Sequence, residues 1–416
     1  MQPAPREANE GEQRLVRHER PWRFIFLSAP DAVIALGMVN GALSFLLRNE
    51  GVDPARAASL VALLTLPHAI YFLWGPVTDF WIHRRTWLLL AAAVAAAILL
   101  VAFNQPRLST RWGIGLLFAA ACVGVVAPAA CGGMMGTLNS EVSRRRAGSF
   151  YQTGSLGFAA VTTFLLVAFA PRLSLFELGL IVAALVALPA LVAFSAPPQP
   201  LVSDHAAEAT ARRVWKEFKA TFLRWEAIPY VLLITFPMCS GSMLGLLPEL
   251  ARDYGVQGSA VAWINGLAGA FLTSLGALAA SLIPVRIRAS VAFLLAGLAN
   301  AASLAILAIG PMRPAVYYAG TALFLFTIGL CYALFTGVSL EFLGASGKSG
   351  STRYAIINSL GNLPVAYMAW VDGRGYAMWG PRGMPAIDAM LSTLGASLLL
   401  AHFVFSRRST SRARAA

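Results

Sequence analysis

Charge is scarce in this chain. Only 12% of its 416 residues are Asp, Glu, Lys or Arg, while 58% are hydrophobic, which excludes a water-soluble domain of this length. Acids are scarcer still, 19 against 32 bases, so the net charge is +13. Cysteine is nearly absent. Cys122, Cys131, Cys239 and Cys331 all fall in segments expected to be helical and lack C-x-x-C spacing, so they read as small buried hydrophobes. No H-E-x-x-H, no G-x-S-x-G and no ATP-binding domain occurs. Gly344-Ala345-Ser346-Gly347-Lys348-Ser349 comes near a phosphate-cradling loop. Such a loop needs glycine five positions before Gly347, where Phe342 stands, and it needs a preceding strand. A flexible loop is the reading here. The chain is therefore expected to be no enzyme and to use no metal and no cofactor. Without a basic-aromatic soluble module, its excess charge is no sign of nucleic-acid binding.

What is abundant is apolar length. Twelve segments, at 24–47, 57–78, 86–104, 113–138, 150–170, 174–195, 228–248, 259–283, 289–310, 315–340, 354–371 and 385–405, are each long enough to cross about 30 Å of hydrocarbon as a helix. Lys and Arg avoid their cores, as the cost of a charge at bilayer depth demands. The bases are also uneven by side. The N-terminus, the even-numbered loops and the C-terminus hold 23, and the remaining loops hold 9. By the positive-inside rule both termini lie in the cytoplasm, as in a multi-pass protein of the cytoplasmic (inner) membrane. The positive loops suit anionic lipid headgroups, making membrane lipids an expected partner. The first apolar segment follows 23 polar residues and lacks an A-x-A cleavage site, so it reads as a retained helix.

The hydrophobic pattern breaks once, near its midpoint. Residues 196–227 open with Pro197, Pro198 and Pro200. They end with Trp215, Phe218, Phe222 and Trp225 at helical spacing among Arg212, Arg213, Lys216, Lys219 and Arg224. An interfacial amphipathic helix in a cytoplasmic linker is expected there. The expected domains are a cytoplasmic segment 1–23, a six-helix bundle 24–195, the linker 196–227, a second bundle 228–405 and a cytoplasmic tail 406–416. Sliding the chain by 204 positions aligns Gly37 with Gly241, Gly41 with Gly245, Gly51 with Gly255 and Ser155-Leu156-Gly157 with Ser359-Leu360-Gly361. Six of the 15 glycines in the first half then meet a glycine, where composition predicts about one or two. Two parallel six-helix repeats, an all-α integral membrane architecture of twelve helices with pseudo-twofold symmetry, are the major facilitator arrangement. Gly37-x-x-x-Gly41, Gly132-x-x-x-Gly136 and Gly241-x-x-x-Gly245 allow close helix approach. Pro30, Pro128 and Pro237 in the same helices predict kinks.

From Gly51 to Leu90 the sequence resembles one branch of that superfamily, the muropeptide-permease and acetyl-CoA-transporter group. The resemblance rests on Gly51-Val52-Asp53, Leu66-Pro67-His68, Phe72-Leu73-Trp74-Gly75-Pro76-Val77-Thr78-Asp79 and, later, Gly350-Ser351-Thr352-Arg353-Tyr354-Ala355. Asp79 with Arg84-Arg85 also resembles the superfamily's general motif between helices 2 and 3. Two positions depart from the branch: Tyr71 stands where a lysine is usual, and Phe80 where a basic residue follows the acid. The resemblance implies the fold and a transport function, with a muropeptide-like or other amphipathic metabolite as the solute.

Among residues for chemistry, Asp31 comes first. It lies about 10 Å into helix 1, beside Pro30, where a carboxylate can gain and lose a proton as access alternates. His68, placed mid-helix 2, titrates near neutrality but has no second ligand for a metal. Asn40, Gln152, Asn265 and Asn358, with Asn300 and Asn362, are uncharged polar groups at membrane depth. They either bind a polar solute or join helices. Tyr71, Tyr151, Tyr332 and Tyr367 are candidates to line a cavity. Asp79, Arg84 and Arg85, with Glu141 at the end of helix 4, Glu341 at the end of helix 10 and Arg353, are candidate gating charges that pair when the cytoplasmic side is shut. The expected function is a secondary transporter, permease or symporter, moving a polar small-molecule solute by alternating access with protons, its site near the midplane touched by helices 1, 4, 7 and 10. A non-transporting membrane sensor or assembly partner on the same scaffold is the alternative.

Overall fold

The computed structural model describes residues 19–79, 81–196, 215–216, 218–219, 222–256, 258–343 and 350–415. Most of the N-terminal segment, Phe80, most of the linker with its expected amphipathic helix, and residues 344–349 lie outside these residues. The described residues are helical and contain no strand. In chain order they form α1 (Pro21–Asn49), α2 (Pro54–Ala69, resuming as Gly75–Asp79), α3 (Arg84–Phe103), α4 (Arg111–Gly136), α5 (Glu141–Phe169) and α6 (Leu175–Ser195). There follow α7 in two pieces (Ile228–Thr235 and Met243–Leu250), α8 (Trp263–Leu282), α9 (Ala289–Ile309), α10 (Pro314–Leu343), α11 (Gly350–Gly361 and Leu363–Trp379) and α12 (Gly383–Ala415). Among the described residues nine helical stretches are long and apolar enough to cross a membrane. One of them, Gly350–Phe403, holds both α11 and α12. The two segments that fall short as continuous helices, α2 and α7, are each split by a stretch that is not α-helical.

Helix starts follow local chemistry. Thr110 caps α4 by accepting from the Gly113 amide at 3.0 Å, and Ser140 caps α5 through the Ser143 amide at 3.0 Å. Ser174 and Glu177 cap α6 reciprocally. The cap at Ser140 corrects one expectation: Glu141 opens α5 and does not end helix 4, a position that suits an acid at a helix N-terminus. Likewise α11 runs to Trp379, two turns beyond the expected end at 371, so Arg374 is a helical residue and not a loop one.

The surface is inverted relative to a soluble protein. On α3, Leu90, Val94 and Val101 face outward, while Ala91, Ala92, Ala95, Ala96 and Ala102 are buried. Large apolar groups outside and small ones at helix contacts are what lipid as solvent selects. Exposed Trp112 and Trp379 stand at helix ends, in keeping with an interfacial belt.

The chain divides into two compact units, residues 1–221 with 339–359 and residues 222–338 with 360–416. In the first, α1 packs on α5 through its small face. A Cβ added at Gly37 would stand 2.6 Å from Thr162 Cβ, and the Thr163 hydroxyl donates to the Gly37 carbonyl at 2.9 Å. In the second, α9 and α11 pack on α12, and Asn300 joins α9 to α10 by donating to Thr327 Oγ1 at 2.9 Å.

All three helix-breaking prolines coincide with interruptions. Pro30 follows an irregular turn at Ser28, beyond which Ala32–Ala42 is wound as a π-helix. Pro128 sits just after the break at Val125, and Pro237 lies in the unwound stretch between the two pieces of α7. A proline ring clashes with the carbonyl four residues back and supplies no amide, so the turn before it opens. Cys239, expected in a helix, instead lies in the unwound part of α7 with a left-handed φ of 52°, beside Gly241 at φ 77°. Its thiol lies 2.7 Å from the Cys331 sulfur of α10.

Candidate functional site

The first unit brings Asp31 and His68 together. Position 31 lies where α1 changes winding, and position 68 lies at the middle of α2, in the last turn of its first piece. His68 follows Pro67, and the helix opens at Ile70 before resuming. The His68 Nε2 lies 2.7 Å from Asp31 Oδ1, close enough for an N–H to donate to the carboxylate. The Asp31 side chain is 12% exposed and that of His68 24%, so the pair is secluded yet reachable. Nearby on the same strip of α1 and α2, the Thr65 hydroxyl donates to Asn40 Oδ1 at 3.2 Å. Tyr71 is buried against Val125, Ala129, Ala355 and Trp74, and its hydroxyl has no hydrogen-bond partner among the described residues. Asn358 spends its amide on the Tyr354 carbonyl of its own helix, at 2.9 Å. Gln152 is partly buried on α5.

The expected loop charges build a denser cluster. Asp79, at the end of α2, accepts from Arg84 Nη2 at 2.7 Å and Nε at 3.2 Å. It also accepts from the Ser351 amide at 3.2 Å, the Thr352 amide at 2.9 Å and the Thr352 hydroxyl at 2.8 Å. Asp79 and Arg84 are both about 5% exposed. One carboxylate thus holds a guanidinium and the first turn of α11, whose free amides favour an anion. A Cβ at Gly133 would stand 2.1 Å from Ser351 Oγ and 2.5 Å from Arg84 Nε, so only glycine lets α4 close on this cluster. Arg85 donates to the Ala196 carbonyl at 3.0 Å. Arg145 of α5 lies within the electrostatic reach of both Glu141 and Glu341. Arg353 follows Thr352 on α11 and is partly buried.

The second unit holds the other candidates apart. Asn265 donates to the Tyr317 hydroxyl at 2.8 Å, tying α8 to α10. The Tyr332 hydroxyl stands where a Cβ on Gly241 would lie, against the unwound part of α7. Tyr367 donates to the Thr235 carbonyl at 2.7 Å, closing the last turn of the first piece of α7.

Several polar groups escaped the reading of the sequence. Asp372 of α11 and Asp388 of α12 are 0% and 4% exposed, and Ser242 of α7 reaches both. Asp388 falls inside an apolar segment expected at 385–405, where any acid is a functional candidate. Asp372 falls one residue beyond the expected end of helix 11. Arg145 and Thr352 carried no signal, because their roles depend on other helices.

Broken membrane helices, a buried ion pair at one helix end and a histidine–carboxylate pair within the bundle define a polytopic membrane carrier. The sequence profile of the Major Facilitator Superfamily matches residues 25–369, and the chain belongs to that family of twelve-helix solute transporters. Solved structures share the fold at low identity. The human organic anion transporter MFSD10 (TETRAN) aligns with a TM-score of 0.68 and 15% identity over 93% of this chain and 99% of its own. The transporter FucP, in its outward conformation, gives 0.63 and 14% over 93% and 98%. The proton:xylose symporter XylE, bound to 6-bromo-6-deoxy-D-glucose, gives 0.62 and 14% over 95% and 96%. No curated protein is matched by sequence.

Proposed function

We propose that this protein is a secondary active transporter that moves a polar organic solute across the cytoplasmic membrane, driven by protons exchanging at Asp31 and His68. The observation that carries this reading is the 2.7 Å contact between the two side chains. A carboxylate and an imidazole in one hydrogen bond exchange a proton with little rearrangement, and seclusion from water couples that exchange to the state of the carrier. Asn40, Tyr71 and Gln152 in the first unit, Asn265 and Tyr332 in the second, and Asn358 at the start of α11 are the proposed solute contacts. A muropeptide-like or similar amphipathic metabolite is the proposed class, on the resemblance of the stretch from Gly51 to Leu90. One solved structure with this fold is a proton:xylose symporter, which lends support to proton coupling.

Gating is assigned to the Asp79 cluster. Its pairing with Arg84 and the amides of Ser351 and Thr352 belongs to one state of the carrier, and its rupture to the other. Arg85, Glu141, Glu341 and Arg353 are proposed to bias the same equilibrium. Both termini are placed in the cytoplasm by the distribution of bases, and the expected six-helix domains, 24–195 and 228–405, are the proposed moving bodies.

Uptake into proteoliposomes under an imposed pH gradient tests the proposal. A panel of sugar-peptides, amino acids and organic anions, first screened for thermal stabilisation of the detergent-solubilised protein, supplies the solute. Gradient-driven accumulation that Asp31→Asn abolishes, with solute exchange retained, is the expected result. Accumulation indifferent to the gradient overturns proton coupling.

A further inference from the structure

Unit 2 contains a second polar centre that solute recognition and the proton pair leave unused. Asp372 and Asp388 lie 16 positions apart on α11 and α12, near the end where those helices meet. Ser242 Oγ stands 2.6 Å from Asp372 Oδ2 and 3.4 Å from Asp388 Oδ2. The Ser240 and Ser242 hydroxyls lie 3.0 Å apart. Ser392 Oγ is 2.9 Å from Asp388 Oδ1 and 2.9 Å from the Pro237 carbonyl. All five side chains are at least nine-tenths buried.

The donors do not suffice. Each serine hydroxyl has one proton, yet Ser242 faces two carboxylates and Ser392 faces a carboxylate and a carbonyl. Asp372 Oδ1, fully buried, has no partner among the described residues. Neither aspartate has a basic partner among those residues. Arg374, two positions on, is turned outward over Trp370 with its guanidinium 5.0 Å from the ring. Two buried carboxylates without a counter-charge are too costly to persist with both ionised, so one keeps a proton and the other calls for a cation. The backbone points the same way. The unwound segment of α7 lies against the cluster, its Pro237 carbonyl on Ser392 and its Ser240 and Ser242 hydroxyls in contact, and broken membrane helices are where such carriers hold cations.

We infer that Asp372, Asp388, Ser242 and the unwound segment of α7 bind one sodium ion. The donors are all oxygen: carboxylate, hydroxyl and carbonyl. No histidine or thiolate shares the hydrogen bonds of the cluster, which disfavours a transition metal. Only two carboxylates are present, few for the oxygen cage of calcium. The site is separate from Asp31 and His68 and adds a second cation to the proton of the proposed cycle.

Binding is measured on the full-length protein in detergent at fixed pH and ionic strength, with radioactive sodium and by thermal unfolding in sodium, potassium, calcium or choline chloride. Saturable sodium binding and a sodium-specific rise in unfolding temperature of about 2–4 °C are expected. Asp372→Asn should weaken binding at least about 10-fold. Ser242→Ala keeps both carboxylates, covers the case in which Asp372→Asn does not fold, and should need a several-fold higher sodium concentration. Equal behaviour in choline and sodium, a response to calcium instead, a stability that follows pH alone, or sodium binding that survives both substitutions overturns the assignment. The measurement needs no transport, so its outcome is independent of uptake through Asp31.

Discussion

The two units treat buried charge in opposite ways. In the first, two buried acids each meet a partner suited to them: Asp79 has Arg84 and two backbone amides, and Asp31 has His68. In the second, Asp372 and Asp388 meet each other across a serine. A fully matched charge gives a structure that is stable as it stands and can serve as a latch. An unmatched pair gives a structure that is complete only when something else arrives. Gating by the one and ion binding by the other are the proposals that rest on this contrast.

The contrast can be broken most sharply at Asp79. Asp79→Ala strands the buried Arg84 guanidinium and frees the first turn of α11, so it should cost about 3–5 kcal/mol, read as a lower unfolding temperature and loss of uptake. The double variant Asp79→Ala/Arg84→Leu should be more stable than Asp79→Ala alone, recovering about 1–3 kcal/mol in a double-mutant cycle. Additivity of the two changes would deny the latch. Asp31→Asn is the next in size. Gradient-driven uptake should fall at least about 10-fold, the equivalent of about 1.4 kcal/mol, with exchange preserved. Asp372→Asn should behave unlike Asp79→Ala. In sodium-free buffer it removes an uncompensated charge, and the unfolding free energy should stay within about 1 kcal/mol of the parent or rise. A loss as large as that at Asp79 would erase the distinction between the units. Glu141→Gln, at a helix start near Arg145, should be smallest, under about 1 kcal/mol in stability.

Much of the fold was legible because the bilayer imposes a length and a charge rule on each segment separately. All twelve apolar segments could be read that way, and the three prolines marked interruptions because the missing amide is a local property. The depth of the breaks in α2 and α7 was not legible. A run of apolar residues has the same composition whether wound or unwound, and the left-handed φ at Cys239 depends on what surrounds it. The site residues divide by the same logic. Asp31 and His68 stood out as ionisable groups inside apolar segments, and Asp79 stood out through the motif it forms with Arg84-Arg85. That Asp31 meets His68, 37 positions away, or that Asp79 meets Thr352, 273 positions away, is a tertiary fact. Asp372 escaped because α11 outruns its apolar stretch by two turns, carrying polar residues into the packed interior.

The π-winding of Ala32–Ala42 leaves α1 with a residue in reserve. Returning that stretch to ordinary α pitch, at about 100° per residue, would turn one end of it against the other. Asp31 sits at one border of the stretch and Asn40 near the other. A change of winding alone, with the Asn40 end of the helix anchored, would therefore swing the carboxylate away from His68 while Asn40 kept its station. The helix carries its own screw.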